Sequence, residues 1–292
     1  MSYYDFIPVD GVNRVSIPWD IFESRGKIRD VHMFDLFFVT LTETSVGSGE
    51  KGYDDEDQKL ILRALRNSSG RIIIPGSSMK GVVSTNYLIL TGSCKETSEC
   101  FGTSAQGWID RKNEKNSSYG PAVSKVLFSD LVPTEENDDR REIQRAWPPP
   151  PGKNGHVKIY TGIAPPTTAY GDIECLPKGV LLSTTIVGTE LSSYELGGLL
   201  MSLGCFPKDD MMVAGIMKVG YGKPQGLGRI RLDVDRSHYR RCAVSLTGLR
   251  SVLDVPLNSP ECMKLVRGFA RMVIARERAL FEYWKKIFVP GT

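Results

Sequence analysis

Two glycine-punctuated turns, nearly 150 residues apart, constrain this chain more than any other feature. The first closes the stretch Ile72–Tyr87, where the run Ile72, Ile73 and Ile74 favours a short buried strand. Pro75 and Gly76 end that strand, because proline removes a ladder donor and glycine permits a sharp turn. Ser77 or Ser78 can then cap a helix whose core stripe is Met79, Val82, Val83 and Tyr87 and which ends near Gly92. The free N–H groups of its first turn, with Lys80 beside them, predict an anion site. The second turn, Gly220–Gly228, carries four glycines, and Lys223, Arg229 and Arg231 supply charge beside it. It is no Walker A loop, since Pro224 follows Gly-Lys, and its spacing departs from the dinucleotide fingerprint. Close backbone approach to phosphate is what it allows, with Tyr221 available to stack on a base.

Around these turns the pattern alternates between strands and helices. Met33–Leu41, Val123–Leu131, Val157–Thr161, Val180–Val187, Val213–Val219 and Arg229–Val234 read as strands. Thr42–Tyr53 reads as a glycine-rich loop, followed by the acidic knot Asp54, Asp55, Glu56, Asp57 and a strand or short helix over Lys59–Arg66. Ser192 and Glu195 form a capping-box pattern opening a helix that ends near Gly204. A final helix starts at Ser259 and Pro260 and runs to about Phe288, with Leu265, Val266, Phe269, Met272, Val273, Leu280 and Trp284 as its apolar face. Between Glu135 and Asp172 lies a charged, proline-rich excursion containing four consecutive prolines after Trp147 and a Lys153-Asn-Gly tip. Strands mixed with helices at this spacing predict an α+β class in one domain, with ferredoxin-like topology and two fused halves as one arrangement.

Bulk composition narrows the function less. A net charge of +3 with 24% charged residues describes a globular chain, so any nucleic-acid surface must come from local clustering. No apolar run approaches the ~20 residues of a membrane span, and the N-terminus lacks a signal-peptide pattern, so a cytoplasmic protein without a membrane partner is expected. The 6 cysteines and 3 histidines show no metal-ligand spacing.

Ile-Pro-Gly-Ser-Ser-Met-Lys-Gly followed far downstream by Gly-Tyr-Gly-Lys-Pro-Gln-Gly-Leu-Gly-Arg resembles the RAMP superfamily of CRISPR-associated RNA-binding proteins. Thr44–Gly49, Cys100-Phe101-Gly102 and Phe128-Ser129-Asp130 resemble further pieces of its pattern, in the same order, over roughly residues 33–234. Within it, the layout is similar to backbone subunits of type III effector complexes, the Csm and Cmr assemblies. The resemblance implies a ferredoxin-like core binding guide RNA through Ser77, Ser78, Lys80, Tyr221, Lys223, Arg229 and Arg231. It implies a β-hairpin thumb over about 135–172, bearing Trp147 and Lys153, and stacking with other effector subunits and copies of itself. In cutting members an aspartate of the loop before the first helix supports cleavage of single-stranded target RNA with Mg²⁺ or Mn²⁺. Asp57 is the first candidate for catalysis and metal binding here, with Asp55 and Asp54 beside it. Two other outcomes stay open: a structural or capping sibling that binds RNA without cutting, and a nucleotide- or phosphate-binding metabolic enzyme.

Overall fold

The computed structural model describes residues 4–8, 30–54, 59–102, 123–135, 142–146, 150–153, 156–163, 171–245 and 248–288. The first half carries β1 (Tyr4–Pro8), β2 (Asp30–Thr40), β3 (Gly47–Asp54), β4 (Lys59–Ala64), α1 (Gly76–Thr91), α2 (Cys94–Phe101), β5 (Val126–Phe128) and β6 (Val132–Pro133). After β7 (Glu142–Ala146), β8 (His156–Tyr160) and β9 (Gly171–Cys175) come β10 (Leu181–Thr189) and α3 (Ser193–Ser202). The chain continues through β11 (Cys205–Lys208), β12 (Met211–Ala214), β13 (Ile216–Lys218), β14 (Arg229–Leu232), β15 (His238–Ser245), β16 (Gly248–Pro256) and α4 (Pro260–Phe288). The class is mixed α+β.

β2 organises the main sheet because it alternates large apolar residues on one face. Phe34, Leu36 and Phe38 are wholly buried, whereas Met33, Asp35, Phe37 and Val39 are only half-buried. One edge of β2 pairs antiparallel along β10. Its other edge is shared, with β14 beside its C-terminal end and β15 beside its N-terminal half. Strand order is β13-β14-β2-β10-β5, with β6 also against β10 and β16 outside β15. Helices cover the buried face: Tyr87 of α1 packs edge-on to Phe101 at 5.4 Å and against Phe269 of α4 at 6.1 Å. A second sheet, β3-β4-β9-β7, stands apart from the first.

Helix ends follow the local chemistry. Ser192 accepts from the Glu195 N–H, and Glu195 reaches back to the Ser192 N–H, so the predicted capping box closes. α1 starts differently from expectation. Pro75 is its N-cap and offers no side-chain acceptor; Ser77 and Ser78 lie inside the helix, and Asp130 Oδ1 accepts from the Gly76 N–H at 2.8 Å. Gly92 ends α1 in the left-handed conformation, as the sequence predicts.

Several segments depart from the sequence reading. Ile72–Ile74 is extended and buried but forms only isolated bridges, from Ile72 to Arg66 and from Ile74 to Leu131. Most of the expected glycine-rich loop is the strand β3, because the β4 segment pairs with it in a hairpin that satisfies the glycine backbone. The polar stretch after Gly92 contains α2, capped by Ser93. The expected strand Val213–Val219 breaks at Gly215 into β12 and β13. Nothing in the periodicity announced β15 and β16. Within 135–172, where the resemblance implies a hairpin thumb, β7 pairs with β9 and β8 with β1, so these two described strands are not partners of each other as in a simple hairpin. On α4, Val266, Phe269, Val273 and Trp284 are buried as expected, but Met272 is 44% exposed. Among the described residues no helix is long and apolar enough to cross a membrane.

Candidate functional site

The connection between β13 and β14 is held against the chain that leaves β2. Tyr221 N–H donates to Ser45 O at 2.9 Å, Gly228 N–H to Glu43 O at 2.8 Å, and Val219 N–H to Gly228 O at 2.8 Å. Gly220 makes this possible: its φ is +77°, and a Cβ there would sit 1.8 Å from Ser45 O. Lys223–Gln225 forms one 3-10 turn at the tip. Across from this loop lies α1, and β8 with the residues after it supplies a third wall. The space enclosed is a cleft of about 890 Å³, lined among others by Ser78, Gly81, Thr85 and Asn86 of α1 and by Lys158–Ile163.

Its charged lining is all of one sign. Lys158, Lys218, Lys223 and Arg229 line the cleft, and none of its described lining residues is Asp or Glu. Burial lowers Lys218 to about 8, with the nearby Arg229 and Lys223 charges adding to the effect. Burial also lowers Lys223 and Lys158. Lys218 Nζ donates to Tyr160 O at 2.9 Å, and Lys158 Nζ lies 5.7 Å from the Tyr160 ring centre while bonding Pro150 O. Arg229 Nε is buried with no hydrogen-bond partner among the described residues. An unpaired buried donor on a cation is costly, and an entering anion would relieve both that cost and the mutual repulsion. Tyr221 is 47% exposed at the rim, an open aromatic face beside the cations.

Of the residues singled out from the sequence, Ser78, Tyr221, Lys223 and Arg229 meet in this cleft. Ser77 and Lys80 do not; they line a separate depression of about 350 Å³ on the other flank of α1, with Ser84, Thr97 and Phe101. The single groove expected for Lys80 and Lys223 is therefore two. Arg231 is exposed on β14 outside both. The N-terminus of α1 is not a free anion site, since the Asp130 carboxylate already occupies the Gly76 N–H. Asp54 ends β3, while Asp55, Asp57 and Trp147 lie outside the described residues. Lys153 is exposed. Among the described residues no group of three or more His, Cys, Asp or Glu converges as a metal site would require.

Sequence reasoning missed Lys158 and Lys218. Each is a lone cation within a short apolar strand, a pattern that strand periodicity reads as a solvent-facing residue. In the sequence Asp130 stands out only as part of Phe-Ser-Asp, and its capping role needs the fold.

Fold and cleft together define an α+β protein with a partly apolar cleft whose described charged lining residues are all cationic. Comparison with protein-family models gave no match, and comparison with curated proteins gave none.

Proposed function

We infer that this chain is a guide-RNA-binding backbone subunit of a RAMP-type, type III CRISPR effector. The observation that carries the reading is the cluster Lys158, Lys218, Lys223 and Arg229, without a carboxylate, between α1 and the Gly220–Gly228 loop. Those are the two stretches on which the resemblance rests. Phosphates grip such a groove without reading sequence, which is what a subunit holding any guide must do.

The topology supports a ferredoxin-like core. The run β2-α1-β5-β10-α3-β14 is a βαββαβ unit, and its strands lie in the order β14-β2-β10-β5 with each neighbouring pair antiparallel. One such unit accounts for this order, and fusion of two halves is not needed. The excursion from Glu135 to Asp172 serves as the thumb, and its β8 end brings Lys158 into the cleft. The partners in this reading are guide RNA, target single-stranded RNA, other effector subunits and further copies of this chain, in the cytoplasm.

Cutting of target RNA is a separate part of the reading. The cleft does not suit a divalent ion, because every charged group among its described lining residues is cationic. The carboxylates that would hold Mg²⁺ or Mn²⁺ are Asp54, the last residue of β3, and Asp55 and Asp57, which follow it in sequence and lie outside the described residues. β3 ends at Asp54, roughly 20 Å by strand rise from the cleft edge at Gly47. A divalent ion there would supply charge neutralisation and orientation of a phosphate.

The test is RNA binding across a salt series. Wild type is expected to bind single-stranded RNA of any sequence alike, and each phosphate contact removed by Lys223→Ala or Arg229→Ala is expected to flatten the log–log salt slope by about 0.7. Tighter binding of mononucleotides than of RNA would favour a metabolic enzyme instead. In the assembled complex, Asp57→Ala is expected to stop metal-dependent cutting with binding intact. Wild-type cutting by Asp57→Ala, Asp55→Ala and Asp54→Ala alike would make the chain a structural sibling.

A further inference from the structure

We propose that the outer face of α4 docks an acidic amphipathic helix of another protein, laid along a stripe of Leu265, Gly268, Met272 and Ala275. α4 carries more apolar character than its own fold consumes. Its inner stripe, Val266, Phe269, Val273 and Trp284, is in the core. The second stripe advances by three, four and three residues, the alternation by which two helices interlock along a seam. Leu265 is half-buried, Gly268 and Ala275 are exposed, and so is Met272. The first three members line a depression of about 840 Å³, bounded by Ser193 and Tyr194 of α3 and by Asn258 and Pro260. It shares no lining residue with the cationic cleft, so the proposal stands apart from what that cleft binds.

Glycine at 268 answers no packing need within the chain, since a Cβ there would meet nothing within 4 Å. Gly197 of α3 is the contrast: a Cβ there would sit 2.4 Å from Leu265 O, so the approach of α3 to α4 demands glycine. A glycine inside a helix destabilises it relative to alanine. At Gly268 it leaves room for the backbone of a second helix to come close.

The row beside the stripe sets the charge of that helix. Lys264, Arg271 and Arg278 recur every seven residues, all exposed, about 10 Å apart along the axis. Among the described residues none of the three is held in an ion pair or a hydrogen bond. Cations off this row are engaged within the fold: Arg267 pairs with Asp210 at 3.1 Å and Arg276 with Glu96 at 3.1 Å. Asp210, the acidic residue among the described lining of the depression, is therefore already taken. Charges flanking a helical seam select a partner of opposite sign. A second copy of this chain is a poor occupant, because antiparallel pairing would set the cationic row against itself and parallel pairing would set it against Arg276. RNA would use the cations but leave the apolar stripe unsatisfied. A helix with apolar residues on its seam and glutamate or aspartate beside it satisfies both.

The experiment measures binding to the full chain by fluorescence anisotropy, with a melting temperature for each variant. The probe is a stapled helical peptide three heptads long, with leucine on its seam and glutamate on both flanks. A second peptide carries lysine on both flanks, and an oligouridine of twelve residues represents RNA. Wild type is expected to bind the glutamate peptide and not the lysine one. Lys264→Glu combined with Arg271→Glu is expected to weaken the glutamate peptide by about tenfold and to take up the lysine peptide instead. Met272→Gln is expected to weaken the glutamate peptide several-fold at an unchanged melting temperature, and Lys223→Ala in the cleft to leave that peptide's binding alone. Equal binding of both peptides by wild type, or of neither, overturns the proposal. So does glutamate-peptide binding that survives Met272→Gln or the double charge reversal undiminished. Loss of oligouridine binding in the double reversal, with peptide binding intact, would assign the face to RNA and end the helix site.

Discussion

At the residue scale, Lys218 is the group whose behaviour is most specific to this structure. It is held near 8 chiefly by burial, then by the Arg229 and Lys223 charges, against about 10.5 for a free lysine. Between those values the unfolded chain binds more protons than the folded one, so the free protein should gain stability as pH rises through that window. Anion affinity should run the other way and fall as pH passes about 8, because the ligand needs the charge that is being lost. Lys218→Met is expected to flatten both profiles, read by thermal melts without RNA and by RNA titrations from pH 7 to 10. Parallel profiles for variant and wild type would mean that Lys218 carries its ordinary charge and that the cleft is wetter than its geometry implies. His32 is the counterpart in the core: burial lowers it to about 4, and its Nδ1 lies 2.8 Å from the Tyr239 hydroxyl.

At the element scale, α1 depends on a partner distant in sequence. Asp130, 54 positions away from Gly76, supplies the acceptor that no residue at the start of the helix provides. Asp130→Ala should cost about 1 kcal/mol, the usual magnitude for a lost N-cap, and Asp130→Asn should recover most of it because the amide oxygen can still accept. Denaturant unfolding of the two variants decides this; equal stability of Asp130→Ala and wild type would show that water caps the helix equally well. A second tie fastens α2, α3 and α4 together. The buried Glu96 accepts from the Tyr194 hydroxyl at 2.8 Å and from Arg276 at 3.1 Å, and the Arg276 guanidinium stands 5.3 Å from the Tyr194 ring centre. These ties hold the helical layer under the sheet, and with it the wall of the cleft that α1 forms.

At the scale of the whole molecule, the strands of the excursion from Glu135 to Asp172 join otherwise separate parts. β7 adds to the second sheet through β9, while β8 pairs with β1 and presents Lys158 to the cleft. The proline-rich segment 147–155 connects them. Exchanging it for a glycine-serine segment of equal length should leave the melting temperature within about 2 °C, because surface loop tips contribute little to the core. A chain that no longer folds would place that segment in the core and end its reading as part of a thumb.

Elements whose signals are local could be read directly from the residues. The alternation of Phe34, Leu36 and Phe38, the Ser192–Glu195 capping box, Gly92 as a left-handed stop and the periodicity of α4 depend on neighbours within a few residues, and the structure carries each of them. Only tertiary structure decided what depends on pairing over long separations. Thr42–Tyr53 reads as a loop because its glycines lack strand propensity, yet β4 lends it a ladder. Lys158, Lys218 and Lys223 come from three segments that converge on one cleft, and the desolvation that distinguishes them from surface lysines exists only once α1 and β8 enclose them. Lys80 and Lys223 carry the same charge in the linear chain, but α1 separates the two depressions they line.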